Sequence, residues 1–123
     1  MIDLYTWPTP NGRKISILLE ELKIPYKVHL IDINNNEQFN NNFSKISPSN
    51  KIPAIVDKKN GESIFETGAI MLYLSNKNNK FCSQKYYWEI MQWFFYQISQ
   101  VGPFLGQPHQ FLYHHKDQSL FAE

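Results

Sequence analysis

An α/β sandwich followed by the start of an all-α domain is the architecture this 123-residue sequence predicts, on three observations. Short apolar runs alternate with amphipathic helical patterns as far as about residue 78. Asn60-Gly61 stands between two strand-like runs, the strongest short signal for a hairpin. From residue 84 to 101 the pattern changes, and apolar residues cover nearly every side of a helix. A helix apolar all round must be buried from several directions.

Ile2, Leu4, Tyr5 and Trp7 suggest a first strand, ended by Pro8 and Pro10. Asn11 is a good N-cap for the next element. Ile15, Leu18, Leu19 and Leu22 recur at helical spacing, so residues 12 to 24 read as an amphipathic helix. Tyr26, Val28 and Leu30 alternate with Lys27, His29 and Ile31, a second strand. Phe39, Phe43 and Ile46 predict a short, irregular helix over 37 to 46. Ala54 to Asp57 is a third strand, Ser63 to Phe65 the returning fourth, and 67 to 77 a helix carrying Ile70, Met71, Tyr73 and Leu74. The order βαβ-α-ββ-α describes a thioredoxin-like α/β sandwich. The predicted boundaries are a first domain over 1–78, a linker over 79–84 and the incomplete start of a helical domain over 85–123. Seven of the eleven residues from Tyr86 to Tyr96 are aromatic. Gly102, Pro103, Gly106 and Pro108 are expected to break the chain soon after Val101, so the helical domain begins but does not close. The aromatic faces left uncovered are then expected to recruit a partner or self-associate.

Composition narrows the function. The net charge of +1, with Lys and Arg scattered, gives no case for nucleic acid. No stretch approaches the roughly 20 apolar residues of a membrane span. Met1-Ile2-Asp3-Leu4 lacks the basic start of a signal peptide, and the single cysteine, Cys82, rules out an intrachain disulfide and a CxxC redox pair. A cytoplasmic protein is expected. His109, His114 and His115 have no nearby cysteine or carboxylate that completes a ligand set, so no metal is expected. The asparagine runs at 34–36 and 40–42 read as polar loop, because apolar residues interrupt them.

The most informative segment is Asn50-Lys51-Ile52-Pro53-Ala54-Ile55-Val56, followed by Glu66-Thr67-Gly68-Ala69-Ile70. A proline at a strand entrance marks an edge or turn, and its bond to Ile52 can be cis at modest cost. Glu66-Thr67 stands where a strand hands over to a helix, and a helix N-terminus favours an anion. Exposed backbone beside an anion site suits a small peptide with a free carboxylate.

With those residues in hand, the chain resembles the cytosolic glutathione transferases, and among them the bacterial nu-class disulfide-bond oxidoreductases and the related fungal nitrogen regulator. The resemblance runs through Thr9-Pro10-Asn11-Gly12 to Leu19-Glu20-Glu21, Ile46-Ser47-Pro48 to Asp57, Phe65 to Leu74, Gln92-Trp93-Phe94-Phe95 and Gly102-Pro103-Phe104-Leu105-Gly106-Gln107. Family members run to roughly 200 residues or more, so the resemblance implies a C-terminally truncated chain. It also implies glutathione as cosubstrate, small disulfide or electrophile substrates, and a homodimer for full-length relatives.

Carried onto this sequence, the resemblance implies that the Ile52 backbone, ahead of a cis Pro53, pairs with the cysteinyl stretch of glutathione. It gives Thr67 the γ-glutamyl carboxylate, Glu66 the γ-glutamyl ammonium, and Gln38 and Lys51 the glycyl end. Asn11, with Thr9, takes the place of the catalytic Tyr, Ser or Cys of other classes, donating to the sulfur. The plainer readings are capping for Asn11, Thr67 and Glu66, a loop hydroxyl for Thr9, solvated side chains for Gln38 and Lys51, and a trans strand opener for Pro53. Tyr5 is placed in the core by its strand position. Cys82 lies at the domain connection, where a nucleophile is not expected, and Glu20 and Glu21 read as a solvated helix face. The function expected is a glutathione-dependent transferase or disulfide-bond reductase. The alternative is an inactive relative or an interaction module.

Overall fold

The structure, a computed structural model, describes residues 1–109 and 111–112. The chain divides into two compact units after Cys82, a point inside the segment 79–84.

In the first unit β1 (Ile2–Thr6), β2 (Tyr26–Leu30), β3 (Ala54–Asp57) and β4 (Glu62–Phe65) form one sheet in the order β2-β1-β3-β4. β1 and β2 are parallel, and β3 runs antiparallel to β1 and to β4. A parallel pair needs a crossover, and helix α1 (Pro10–Leu22) supplies it. On one face α1 and α3 (Thr67–Asn78) close over Ile2, Leu4, Ile15, Leu18, Leu19, Leu22, Ile55, Ile70 and Leu74. The four α1 residues picked out by helical spacing are all buried. Asp3 and Tyr5 have the opposite parity in β1 and face the other side. There the Tyr5 ring stacks on His29 at 4.7 Å and meets Phe43 of the short helix α2 (Asn41–Ile46) at 6.1 Å. β2 is an edge strand, and its Val28 and Leu30 stay exposed.

Several elements of the first unit differ from expectation. Helix α1 starts at Pro10, so Thr9 and not Asn11 is its N-cap. Thr9 is extended, and its side chain accepts from the Gly12 N–H at 3.2 Å. Pro10 fits the first helical position, where an N–H would have no partner anyway. The helix stops at Leu22 because Lys23 turns left-handed and donates back to the Glu20 and Leu19 carbonyls. The predicted helix over 37–46 is two pieces, a 3₁₀ turn (Glu37–Phe39) and α2, preceded by another 3₁₀ turn at Ile33–Asn35. Asn40 separates the two pieces: it is extended, and its side chain accepts from the Asn42 N–H, which begins a new helix. Trp7 and Ile31 lie outside the strands.

Gly12 has a steric reason. A Cβ there would stand 2.3 Å from Thr6 Oγ1 and 2.5 Å from the Trp7 carbonyl, so only glycine lets α1 start this close to the end of β1.

Buried Asp57 ties the β3–β4 hairpin to α3. Its Oδ2 accepts from Tyr73 at 2.7 Å and from Lys77, and its Oδ1 accepts from the Lys59 N–H at 2.9 Å. Its carbonyl accepts from the N–H groups of Asn60 and Gly61, and Gly61 closes the turn at φ 78°. Burial alone would raise the Asp57 carboxyl; the bonds from Lys77, Tyr73 and Lys59 outweigh it and hold the pKa at about 2.

The second unit opens with a 3₁₀ turn (Gln84–Tyr86), then α4 (Tyr87–Tyr96), a π-helical segment (Gln97–Val101) and α5 (Gly102–His109). The break expected at Gly102, Pro103, Gly106 and Pro108 does not occur. The π segment widens the helix, so that the Gly102 N–H reaches Gln97 five residues back, immediately ahead of Pro103. Pro103 then lies in the first turn of α5, where a missing N–H is tolerated, and Pro108 stands near its end. Met91 is the buried apolar residue of this unit among the described residues.

Candidate functional site

The sheet register brings together the strand ends that the candidate residues flank in sequence. Thr6 pairs with Leu30, Tyr5 with Ala54, and Ala54 with Phe65. The C-terminal ends of β1, β2 and β4 therefore meet the N-terminal end of β3 at one edge of the sheet. Thr9 and Asn11 follow β1, Gln38 follows β2, Lys51-Ile52-Pro53 precede β3, and Glu66-Thr67 follow β4. Segments distant in sequence converge because β1, β2 and β4 run one way and β3 the other.

At the start of α1 the hydroxyl of half-buried Thr9 accepts from the Gly12 N–H, which leaves its own proton free to donate. Asn11 is exposed in the first turn of α1, and its Oδ1 accepts from Lys14 Nζ at 3.1 Å. That contact turns the Nδ2 donors to other partners. Gln38 is half-buried, and its Oε1 is enclosed without a hydrogen-bond partner among the described residues.

The Ile52–Pro53 peptide bond is cis, and Pro53 is buried. Ile52 lies outside the sheet register, and no backbone hydrogen bond of Ile52 occurs among the described residues. Lys51 is exposed. Sequence reasoning missed the residue that holds this loop: Ser47, fully buried, donates from its hydroxyl to the Lys51 carbonyl at 2.8 Å. Asn50, left-handed at φ 55°, donates its N–H to the Ser47 carbonyl, and its Oδ1 accepts from Ser44 at 2.6 Å. The available signal was Ser47-Pro48 ahead of an asparagine suited to a left-handed turn.

At the start of α3, Glu66 occupies φ 70°, ψ 124°, a backbone region that side chains rarely adopt. It offers no side-chain cap, so the first-turn N–H groups behind it are uncapped by Glu66. Glu66 is exposed and Thr67 half-buried. An uncapped helix start held by a strained residue is an electropositive, directional set of donors.

Other groups stand apart. Burial, with Asp3 adding to it, pushes the Tyr5 hydroxyl above its ordinary pKa, the direction opposite to an activated phenol. Cys82 is half-buried. Among the described residues no group of three His, Cys, Asp or Glu could hold a metal ion. His114 and His115 lie outside the described residues. No described helix is long and apolar enough to cross a membrane.

A mixed four-stranded sheet covered by α1 and α3 is the thioredoxin-like fold of glutathione S-transferase N-terminal domains. The family model for that domain matches residues 1–76, and the chain belongs to this family. It is 48% identical over 118 residues to the disulfide-bond oxidoreductase YfcG of Escherichia coli, covering 90% of this chain and 55% of that protein. A crystal structure of a glutathione transferase from Pseudomonas putida, with one glutathione disulfide bound per subunit, superposes with a TM-score of 0.90 at 35% identity, over 98% of this chain and 55% of that one. Ure2p in complex with glutathione gives a TM-score of 0.90 at 30% identity, over 98% and 59%. The chain thus spans about half the length of such relatives.

Proposed function

We propose that this chain binds glutathione at the sheet edge and uses its thiolate to reduce disulfides or to attack small electrophiles. The observation that carries the reading is the pair of donor sets at that edge: the uncapped start of α3 behind Glu66, and the Ile52 backbone outside the sheet ladder. Relatives solved with glutathione or its disulfide support it. The γ-glutamyl carboxylate takes the first-turn N–H groups and the Thr67 hydroxyl, and Glu66 takes the ammonium. The cysteinyl stretch pairs with Ile52 as an added strand residue, and Gln38 and Lys51 meet the glycyl end. That arrangement aims the sulfur at Thr9 and Asn11.

The chemistry depends on thiolate supply. A thiol of pKa about 8.5 is roughly 3% ionised at pH 7, and lowering it by two units gives about 75%. The gain in thiolate is about 25-fold, and the two-unit shift behind it corresponds to about 2.7 kcal/mol of preferential thiolate stabilisation. The Thr9 hydroxyl and Asn11 amide each have a donor left for this after their contacts with Gly12 and Lys14. The thiolate attacks one sulfur of a disulfide and expels the other as a thiolate, leaving a mixed disulfide. A second glutathione thiolate attacks the glutathione sulfur of that intermediate. It releases the remaining substrate thiolate and forms glutathione disulfide.

A second reading is a glutathione-binding module without turnover that acts through protein contacts. The exposure of Trp88 (75%) and Trp93 (67%) on α4 favours it. Titration calorimetry with glutathione, followed by a reductase assay with 2-hydroxyethyl disulfide, separates the two. Binding with turnover supports the first reading, binding alone the second, and absence of binding defeats both.

A further inference from the structure

We propose that Ser47 is a positioning residue, its buried hydroxyl setting the direction in which the Ile52 N–H is presented to a bound peptide. The inference rests on the glutathione-binding reading and deepens it. The Lys51 carbonyl and the Ile52 N–H belong to one peptide unit. That unit is planar and trans, since the cis bond of this loop lies one residue later at Ile52–Pro53. In a trans unit the C=O and N–H point in opposite directions. Ser47 Oγ, at 0% exposure, holds the Lys51 oxygen at 2.8 Å on the buried side. The Ile52 N–H is thereby turned away from Ser47, and it has no partner among the described residues. Two further contacts keep the pin in place. The Asn50 N–H donates to the Ser47 carbonyl at 2.9 Å, and Ser44 Oγ donates to Asn50 Oδ1 at 2.6 Å. The ligand group this donor takes is the carbonyl of an extended residue whose own N–H returns to the Ile52 carbonyl, the pairing of an added strand.

Without the hydroxyl, the Lys51 carbonyl loses its buried donor and the peptide unit is free to rotate. The loss falls on one peptide pairing and not on the carboxylate site at α3. The test uses glutathione and an analogue whose cysteinyl carbonyl is reduced to a methylene, which cannot accept from the Ile52 N–H. Ser47→Ala is expected to weaken glutathione binding about tenfold and binding of the reduced analogue by less than about twofold, and Ser47→Thr to restore it. Equal weakening for both ligands marks a general structural effect and overturns the proposal. So does unchanged glutathione affinity. Wild-type protein that fails to bind glutathione overturns the reading beneath it as well. If Ser47→Ala does not fold, hydrogen exchange on the wild type decides. The Ile52 amide is expected to exchange fast in the free protein and to become protected when glutathione is added. An amide already protected in the free protein overturns the proposal.

Discussion

The two units bury their apolar side chains in opposite proportion. In the first, residues from β1, β3, α1 and α3 close over one another, and Leu4, Ile15, Leu19, Ile55, Ile70 and Leu74 are fully buried. In the second, Trp88, Trp93, Phe95, Tyr96, Phe104 and Leu105 are exposed although the segment is richer in aromatic residues. Hydrophobic content alone therefore does not make a core. A core needs two layers facing each other, and the first unit has a sheet and helices to supply them. The second is a run of helix, π turn and helix, along which side chains point outward in all directions.

The strongest way to break this comparison is to separate the units. Residues 1–82 expressed alone are expected to unfold in one cooperative urea transition, and a peptide of residues 83–112 to show no cooperative transition by circular dichroism. A cooperative transition in the peptide would mean that the helices build their own core. Next in size, Leu19→Ala is expected to cost the full chain about 2–5 kcal/mol, the loss of a packed side chain plus the cavity left behind. Trp93→Ala should stay within about 0.5 kcal/mol, because its ring is already in water. Similar costs in urea titrations of the two variants would erase the distinction.

Acid sharpens the comparison through Asp57, which belongs to the first unit. Its pKa of about 2 lies below the ordinary 3.8. A lowered carboxylate pKa adds stability that is fully present above the unfolded value and lost as pH falls through the folded one. The difference corresponds to about 2 kcal/mol, expected to disappear between about pH 4 and pH 2. Asp57→Asn should flatten the stability profile over that window. An unchanged slope would show that the Tyr73 and Lys77 contacts do not favour the charged form. Smaller than the Asp57 effect is the one at the site. Asn11→Ala is expected to lower 2-hydroxyethyl disulfide reduction about tenfold, near 1.4 kcal/mol, with glutathione affinity changed less. Activity lost in Tyr5→Phe and kept in Asn11→Ala would move the role to Tyr5.

Much of the first unit was legible from local signals. Helical spacing at Ile15, Leu18, Leu19 and Leu22, alternation in β2 and the Asn60-Gly61 turn each act over a few residues, and each element formed where the signal stood. The start of α1 was misplaced by one competing signal: Asn11 and Thr9 are both good caps, and Pro10 between them decides for Thr9. The glycines and prolines after Val101 misled for a similar reason. A breaking residue near a helix start is harmless, and a π segment ahead of it moves the ladder by one residue.

The sequence by itself determined the strands and the two main helices of the first unit, and which residue types could meet a small anionic peptide. Those choices depend on side-chain pattern and backbone preference within a few residues. Only the tertiary structure decided that the ends of β1, β2 and β4 meet the start of β3 at one edge, because that arises from strand order and register, which long-range pairing sets. Only the tertiary structure showed Ser47 beneath the Lys51 carbonyl and Asp57 between Tyr73 and Lys77. A serine and an aspartate carry no mark of burial in a sequence; the neighbours that satisfy them exist only once the chain has folded.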